Sequence, residues 1–324
     1  MFYNMSHQRC TKKTRNKDEE EKYMKVFLKD LIVEEAYNRL SSKVEIVTNF
    51  DHPEELDGIM VRTAKVHRDV IEAAPKLKAI VMHGVGLDSI DLDAAKEYAV
   101  PVFNVPGQSA ESVAELALCG IMAASRNIKQ ANIGICESRY QQHGKTDLHG
   151  HEIYGRTLGL VGAGRIAQRL AKMMEAAFDV KVIAYDPYVP AEKLAEINMK
   201  KIDTIEELFA QSDFVSVHVP LTAGTKDLIG KSAFDAAKPN LILVSTARGG
   251  VVNEDELYKA LTDGRVAGAA FDVFVSEPPK GDNPLVHLEN FIATPHIGGN
   301  TAECLVRVGN EAVDKMLKAL GLQD

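Results

Sequence analysis

An arginine, a glutamate and a histidine in the last third of the chain are of the types needed to move a proton and hold an anion. Arg248 stands in STARGG, Glu277 in DVFVSEPP and His296 in TPHIGG. An imidazole gains and loses its proton near neutral pH, a neighbouring carboxylate favours its charged form, and a guanidinium offers the planar fork that matches a carboxylate. Such a set suits hydride transfer at a carbonyl carbon, which needs a proton donor at the oxygen, a partner that charges the donor, and a cation for an acidic substrate. Each residue also has a structural alternative: Arg248 as a helix-end or salt-bridge cation, Glu277 before Pro278 and Pro279 as a solvated turn acid, His296 after Pro295 as a cap. What joins the three is that each follows an apolar run expected to be a strand, the edge at which open α/β sheets place ligands.

The stretch that must position a cofactor is TLGLVGAGRIAQRLAKMMEAAFDVKVIAYD, from Thr157 to Asp186. An apolar run leads into Gly162-Ala163-Gly164, then a helically spaced segment, then a second apolar run ending at Asp186. This is a βαβ unit with a dinucleotide fingerprint. Gly162 takes the tight turn, Gly164 admits a pyrophosphate, and Ala167 is small enough for close helix packing, so the helix N-terminus faces the anion. Asp186, about 20 residues on, can accept from both ribose hydroxyls. Tyr185 and Pro187 put no arginine there for a 2′-phosphate, so the expected cofactor is NAD rather than NADP.

The remaining chain alternates apolar runs with amphipathic segments, before and after this unit. Runs at 26, 44, 58, 77 and 100 with helices between them predict a first parallel sheet, and six strands after 157 predict a doubly wound domain. The expected fold is α/β with two doubly wound parallel-sheet domains, one Rossmann NAD-binding domain and one smaller flavodoxin-like substrate domain. We place the substrate domain at 24–105 and 299–324 and the NAD-binding domain at 106–298. The helical stretch 108–127, which Ser109 or Ser112 could cap, is expected to bridge them, and a closing helix at 301–320 to pack back on the first domain. Residues 1–23 are polar and mixed in charge and are expected to be a disordered extension, with Met24 a candidate start.

Composition excludes several partners. The 324 residues carry 38 basic and 46 acidic side chains, a formal charge of −8, without the basic excess that duplex or lipid phosphates require. Neither nucleic acid nor membrane is an expected partner, since no stretch approaches the ~18 apolar residues of a span. The four cysteines are scattered, which points to reduced thiols in a cytoplasm. His143, His149 and His151 lie in a polar segment with no acid or thiol at ligand spacing, so no metal is expected.

The ordered motifs GLVGAGRIA, HVPLTAGTKDLIG, LVSTARGGVVNEDEL, GAAFDVFVSEPP and TPHIGG, with GVGLDSIDLDAA and PGQSAESVAELAL earlier, resemble the D-isomer-specific 2-hydroxyacid dehydrogenases over residues 25 to about 320. The resemblance implies that Arg248, Glu277 and His296 are the catalytic set. It implies cofactor contacts at Gly162, Gly164, Arg165, Ile166, Asp186, Val219, Thr246, Ala247, Asp272 and Gly299, and a substrate carboxylate held by Arg248 and the backbone of Val85 and Gly86. The stretch VRTAKVHRDVIEAAPKLKAI with HGVGLDSID is most similar to phosphoglycerate dehydrogenases, which implies 3-phosphoglycerate or phosphohydroxypyruvate as substrate and Arg62 and Lys65 at the phosphate; a homodimer is the expected assembly. The alternatives within reach of the same motifs are a broad 2-keto acid reductase and an NAD-sensing protein like the C-terminal binding protein corepressors.

Overall fold

The computed structural model describes residues 23–30, 32–140 and 148–322. Except for Tyr23, the expected disordered extension lies outside the described residues, and so does His143. The chain divides into two compact units, Met1–Ser109 with Asn300–Asp324, and Ala110–Gly299.

In the first unit, strands β1 (Lys25–Leu28), β2 (Glu45–Val47), β3 (Leu56–Val61), β4 (Ala79–Met82) and β5 (Val102–Phe103) alternate with helices α1 (Glu34–Ser41), α2 (Arg68–Glu72) and α3 (Leu92–Glu97). The strands are parallel in the order β2-β1-β3-β4-β5, the flavodoxin-like order. Helices cover both faces of a parallel sheet, so its central strands read as continuous apolar runs. In β4 every residue of AIVM is buried.

The second unit opens with α4 (Ala110–Ser125) and α5 (Ile128–Cys136). Then come β6 (Thr157–Val161), α6 (Arg165–Phe178), β7 (Lys181–Tyr185), α7 (Ala191–Ala195), β8 (Met199–Lys201), α8 (Ile205–Gln211) and β9 (Phe214–Val217). The unit closes with α9 (Lys231–Ala236), β10 (Ile242–Ser245), α10 (Glu254–Thr262), β11 (Gly268–Phe271) and β12 (Phe291–Ala293). All seven strands are parallel, ordered β12-β11-β10-β9-β6-β7-β8, which is the Rossmann order extended by one strand. The order reverses between β6 and β9, the point where such sheets bind dinucleotides.

Three features depart from the expectations. The sheet has seven strands rather than six, because β8 is a short edge strand, MKK, in which only Met199 is buried. A lysine-bearing edge resists pairing with another chain but carries no alternation to read. Ser112 is the third residue of α4 and buried, so it does not cap that helix, and α5 follows where no helix was expected.

The last helix, α11 (Ala302–Leu320), belongs to the first unit. Thr301 caps it, accepting from the Cys304 N–H at 3.2 Å, and Leu305, Val308, Ala312 and Met316 join a core with Val26, Met60 and Val81. Burying a leucine- or methionine-sized side chain contributes about 1.5–3 kcal/mol, so this apolar face is what holds the helix to the sheet.

Candidate active site

Three neighbouring strands of the second sheet, β10, β11 and β12, end at one edge, and each runs directly into a loop with one chemically competent side chain. Parallel pairing brings together residues that are far apart in sequence: Arg248 after β10, Glu277 after β11 and His296 after β12. The His296 Nδ1 lies 2.6 Å from Glu277 Oε2, while Glu277 Oε1 accepts the Phe274 N–H at 3.1 Å. Glu277 thus uses both oxygens, one to fix its own loop and one to hold the imidazole.

This contact sets the charge of the pair. The hydrogen bond that His296 donates to Glu277 raises the His296 pKa; burial opposes it, as does the positive charge of Arg248, while the Glu277 and Asp272 charges add to the rise. Burial alone would lift the Glu277 pKa, but the hydrogen bond and charge of His296, the Phe274 N–H and Arg248 leave it lowered. His296 is half exposed, with 48% of its side chain accessible, so its second ring nitrogen can meet a reactant. Arg248 is half-buried, and its Nη1 donates to the Ala247 carbonyl at 2.6 Å.

His296 adopts φ +55°, in the left-handed region, where a non-glycine residue is strained by about 1–2 kcal/mol. Asp272 holds that conformation. Its backbone carbonyl accepts from His296 N–H at 2.9 Å. Its carboxylate accepts from Ile297 N–H at 2.8 Å, Gly298 N–H at 2.7 Å and Thr294 Oγ1 at 2.6 Å. Asp272 is only 3% exposed, and Gly299 follows the turn it anchors.

A second group of residues lies at the ends of β6, β7 and β9, beside the reversal point. Gly162 has φ +89°, and a Cβ there would stand 2.8 Å from Val219 Cγ1 and 3.2 Å from the His218 carbonyl, so only glycine fits. Gly164 is different: its φ is −71°, and a Cβ there would touch nothing within 4 Å. It precedes α6 with no side-chain cap hydrogen bond, so a 14-residue helix starts at Arg165 and Ile166 with no side chain over its end. Space that a Cβ would fill, at an uncapped helix start, is what a pyrophosphate requires. Asp186 follows β7 and accepts from Ala163 N–H at 3.0 Å and Tyr188 N–H at 2.9 Å, which leaves lone pairs for ribose hydroxyls. Thr246 and Ala247 follow β10, and the Thr246 hydroxyl is buried with no partner among the described residues. Both ring nitrogens of His218 are buried too, and burial lowers its pKa to about 3, so it stays neutral. These residues fit a dinucleotide.

In the first unit, Arg62 follows β3 and Val85 and Gly86 follow β4, both at the carboxyl edge of that sheet. Arg62 Nη2 lies 3.5 Å from Asn300 Oδ1, and Asn104 Nδ2 donates to the Val85 carbonyl at 2.7 Å. Lys65 is exposed on the loop beyond Arg62. Among the described residues, no three His, Cys, Asp or Glu side chains are placed to hold a metal, and no helix is long and apolar enough to cross a membrane.

A reversal point lined for a dinucleotide, beside a histidine charged by a glutamate, defines a nicotinamide-dependent dehydrogenase acting on CH–OH groups. The comparisons make this specific. Residues 118–298 match the model of the D-isomer specific 2-hydroxyacid dehydrogenase NAD binding domain. A hydroxypyruvate reductase of Thermotoga maritima is 41% identical over 310 residues, 92% of this chain and 99% of that protein. A D-3-phosphoglycerate dehydrogenase of Methanocaldococcus jannaschii is 41% identical over 306 residues, which cover 92% of this chain but 57% of that protein. This chain therefore spans little more than half of that dehydrogenase. Among solved structures, a D-lactate dehydrogenase from Aquifex aeolicus complexed with NAD and lactic acid superposes with TM-score 0.80 at 28% identity, covering 92% of this chain and 96% of that one. The chain belongs to the D-isomer-specific 2-hydroxyacid dehydrogenase family, and its cofactor is NAD.

Proposed function

We propose that the chain interconverts 3-phosphoglycerate and phosphohydroxypyruvate, with His296 as general acid and base, Glu277 as the group that charges it, and Arg248 as the cation for the substrate carboxylate. The observation that carries the catalytic part is the 2.6 Å contact of His296 Nδ1 with Glu277 Oε2. Because Nδ1 is committed to the carboxylate, the other nitrogen, Nε2, is the one that exchanges a proton with the substrate oxygen. When bound, the nicotinamide supplies or accepts the hydride. In oxidation, His296 takes the hydroxyl proton as the C2 hydride leaves; in reduction, it returns that proton to the carbonyl oxygen. Arg248 stands close enough to oppose the charge on His296. A bound carboxylate would neutralise Arg248 and ease that opposition.

Arg62 supports the phosphorylated substrate, with Lys65 as its second cation and the Val85-Gly86 backbone at the carboxylate. Asp30 accepts from the Arg62 N–H at 2.6 Å and the Thr63 N–H at 3.1 Å, so the guanidinium is carried on an anchored loop. A second substrate, unphosphorylated hydroxypyruvate, is favoured by the match to nearly the full length of the Thermotoga hydroxypyruvate reductase. Steady-state reduction of both keto acids with NADH, by wild type and Arg62→Ala, separates them. We expect Arg62→Ala to raise the KM for phosphohydroxypyruvate roughly 10–100-fold, the value of a charged hydrogen bond of about 1.5–3 kcal/mol, and to leave hydroxypyruvate nearly unchanged. Equal effects on both would assign the chain to the unphosphorylated acid. A homodimer belongs to the same proposal and is read by sedimentation.

A further inference from the structure

The family motif around Glu254, GGVVNEDEL, opens α10 with three acids, Glu254, Asp255 and Glu256. Acids in a first helical turn ordinarily serve the helix dipole. Two of these behave that way: Asp255 is exposed, and Glu256 pairs with Lys259 at 2.7 Å on its own helix. Glu254 instead leaves the helix. Its Oε1 accepts the Val275 N–H at 2.7 Å, and its Oε2 accepts from Asn283 Nδ2 at 3.2 Å.

Those two partners bracket Glu277, two residues after Val275 and six before Asn283, on an irregular loop. On its near side the loop has two N–H groups in succession tied to carboxylates, Phe274 to Glu277 itself and Val275 to Glu254. The same peptide is pressed against the arginine loop. A Cβ on Gly249 would stand 2.0 Å from the Phe274 carbonyl carbon and oxygen and 2.4 Å from the Val275 nitrogen. Fixing Val275 therefore fixes the seat of both Glu277 and the turn that follows Arg248.

We infer that Glu254 is a positioning residue for the reaction: one carboxylate clamps the Glu277 loop at both ends and holds it flush against the Arg248 turn. It touches neither of the reacting groups. Its effect passes through Glu277 to His296, whose charged neighbours are Glu277, Arg248 and Asp272. When the clamp is lost, the Glu277 carboxylate wanders from the imidazole, so His296 gives up its proton at a lower pH and keto-acid reduction fades sooner as pH rises. The inference rests on the His296–Glu277 pair being the acid–base machinery.

The test compares the pH dependence of kcat/KM for keto-acid reduction in wild type, Glu254→Ala, Glu254→Gln, Glu277→Gln and the Glu254→Ala/Glu277→Gln double variant. NADH titration and thermal unfolding are measured on each. We expect Glu254→Ala to lower kcat on the order of tenfold, less than the ~10²–10⁴ of a deleted general acid, and to move the alkaline limb part of the way that Glu277→Gln moves it. NADH affinity should hold, Glu254→Gln should recover much of the loss because its amide oxygen still accepts the Val275 N–H, and the double variant should shift no further than Glu277→Gln. An alkaline limb unmoved in Glu254→Ala, with Glu277→Gln shifted, would overturn the inference and leave the pair intact. Losses that follow unfolding and NADH affinity alike, with no rescue by glutamine, would also overturn it. If Glu277→Gln itself leaves the limb in place, the acid–base assignment is what fails.

Discussion

Asp30 in the first unit and Asp272 in the second each anchor a turn that carries a candidate functional side chain. Asp30 accepts from the N–H groups of Arg62, Thr63 and Ala64 and from the Thr63 hydroxyl. Asp272 accepts from Ile297 and Gly298 N–H groups and the Thr294 hydroxyl. The two turns differ beyond that point. His296 is held again at its ring by Glu277, at 2.6 Å, whereas the Arg62 guanidinium makes a long 3.5 Å contact with Asn300 Oδ1. Proton transfer demands a fixed geometry, while a cation that recognises charge works over a wider range of positions. The second turn is built to the stricter standard and the first to the looser one.

The contrast breaks most readily at the two aspartates. Asp272→Ala would leave two N–H groups and a hydroxyl without their acceptor in a nearly buried site. We expect a loss of roughly 3–5 kcal/mol in denaturant unfolding, with turnover falling alongside. Asp30 is half-buried, so water can replace part of its bonding; burial works against its charge, yet the Thr63 hydroxyl and three N–H groups still lower its pKa. Asp30→Ala should cost about 1–2 kcal/mol and weaken substrate more than turnover. Equal costs at the two sites would remove the distinction.

The two fingerprint glycines sharpen it further. Gly162→Ala meets both a positive φ and the Val219 side chain, so it should destabilise the second unit by about 1–3 kcal/mol in calorimetry. Gly164→Ala meets nothing, so the fold should tolerate it while NADH titration shows weaker binding. Unchanged affinity in Gly164→Ala would move the pyrophosphate elsewhere. Asp186→Ala with Pro187→Arg should shift preference toward NADPH, at a loss on NADH on the order of 1–3 kcal/mol; an unchanged preference ratio would take Asp186 away from the ribose.

Much of this was legible from the chain. Apolar runs such as AIVM and FVSV can be satisfied only by burial on both faces, and a glycine turn between two of them leaves few folds open. The strand ends then place Arg248, Glu277 and His296 on one edge. What could not be read is tertiary. β8 has one apolar residue and two lysines, so nothing in its pattern separates it from a turn. The resemblance places Asp272 at the cofactor; that its carboxylate also holds the turn at 296–298 could not be read, because those partners are N–H groups some 25 residues away. Glu254 looks like an ordinary acid at a helix start, and only the folded loop shows that it reaches out of the helix.

The pH dependence of keto-acid reduction measures the pairing of His296 with Glu277 most directly. Glu277 raises the His296 pKa, so the protonated acid needed for reduction is present below that pKa and lost as pH rises through it. In Glu277→Gln the shape of the contact remains and the charge is gone. The alkaline limb of kcat/KM should move to lower pH, while NADH binding is retained and His296→Asn loses turnover by ~10²–10⁴-fold across the range. A limb that stays where wild type has it, or a His296→Asn enzyme that turns over normally, would contradict the assignment.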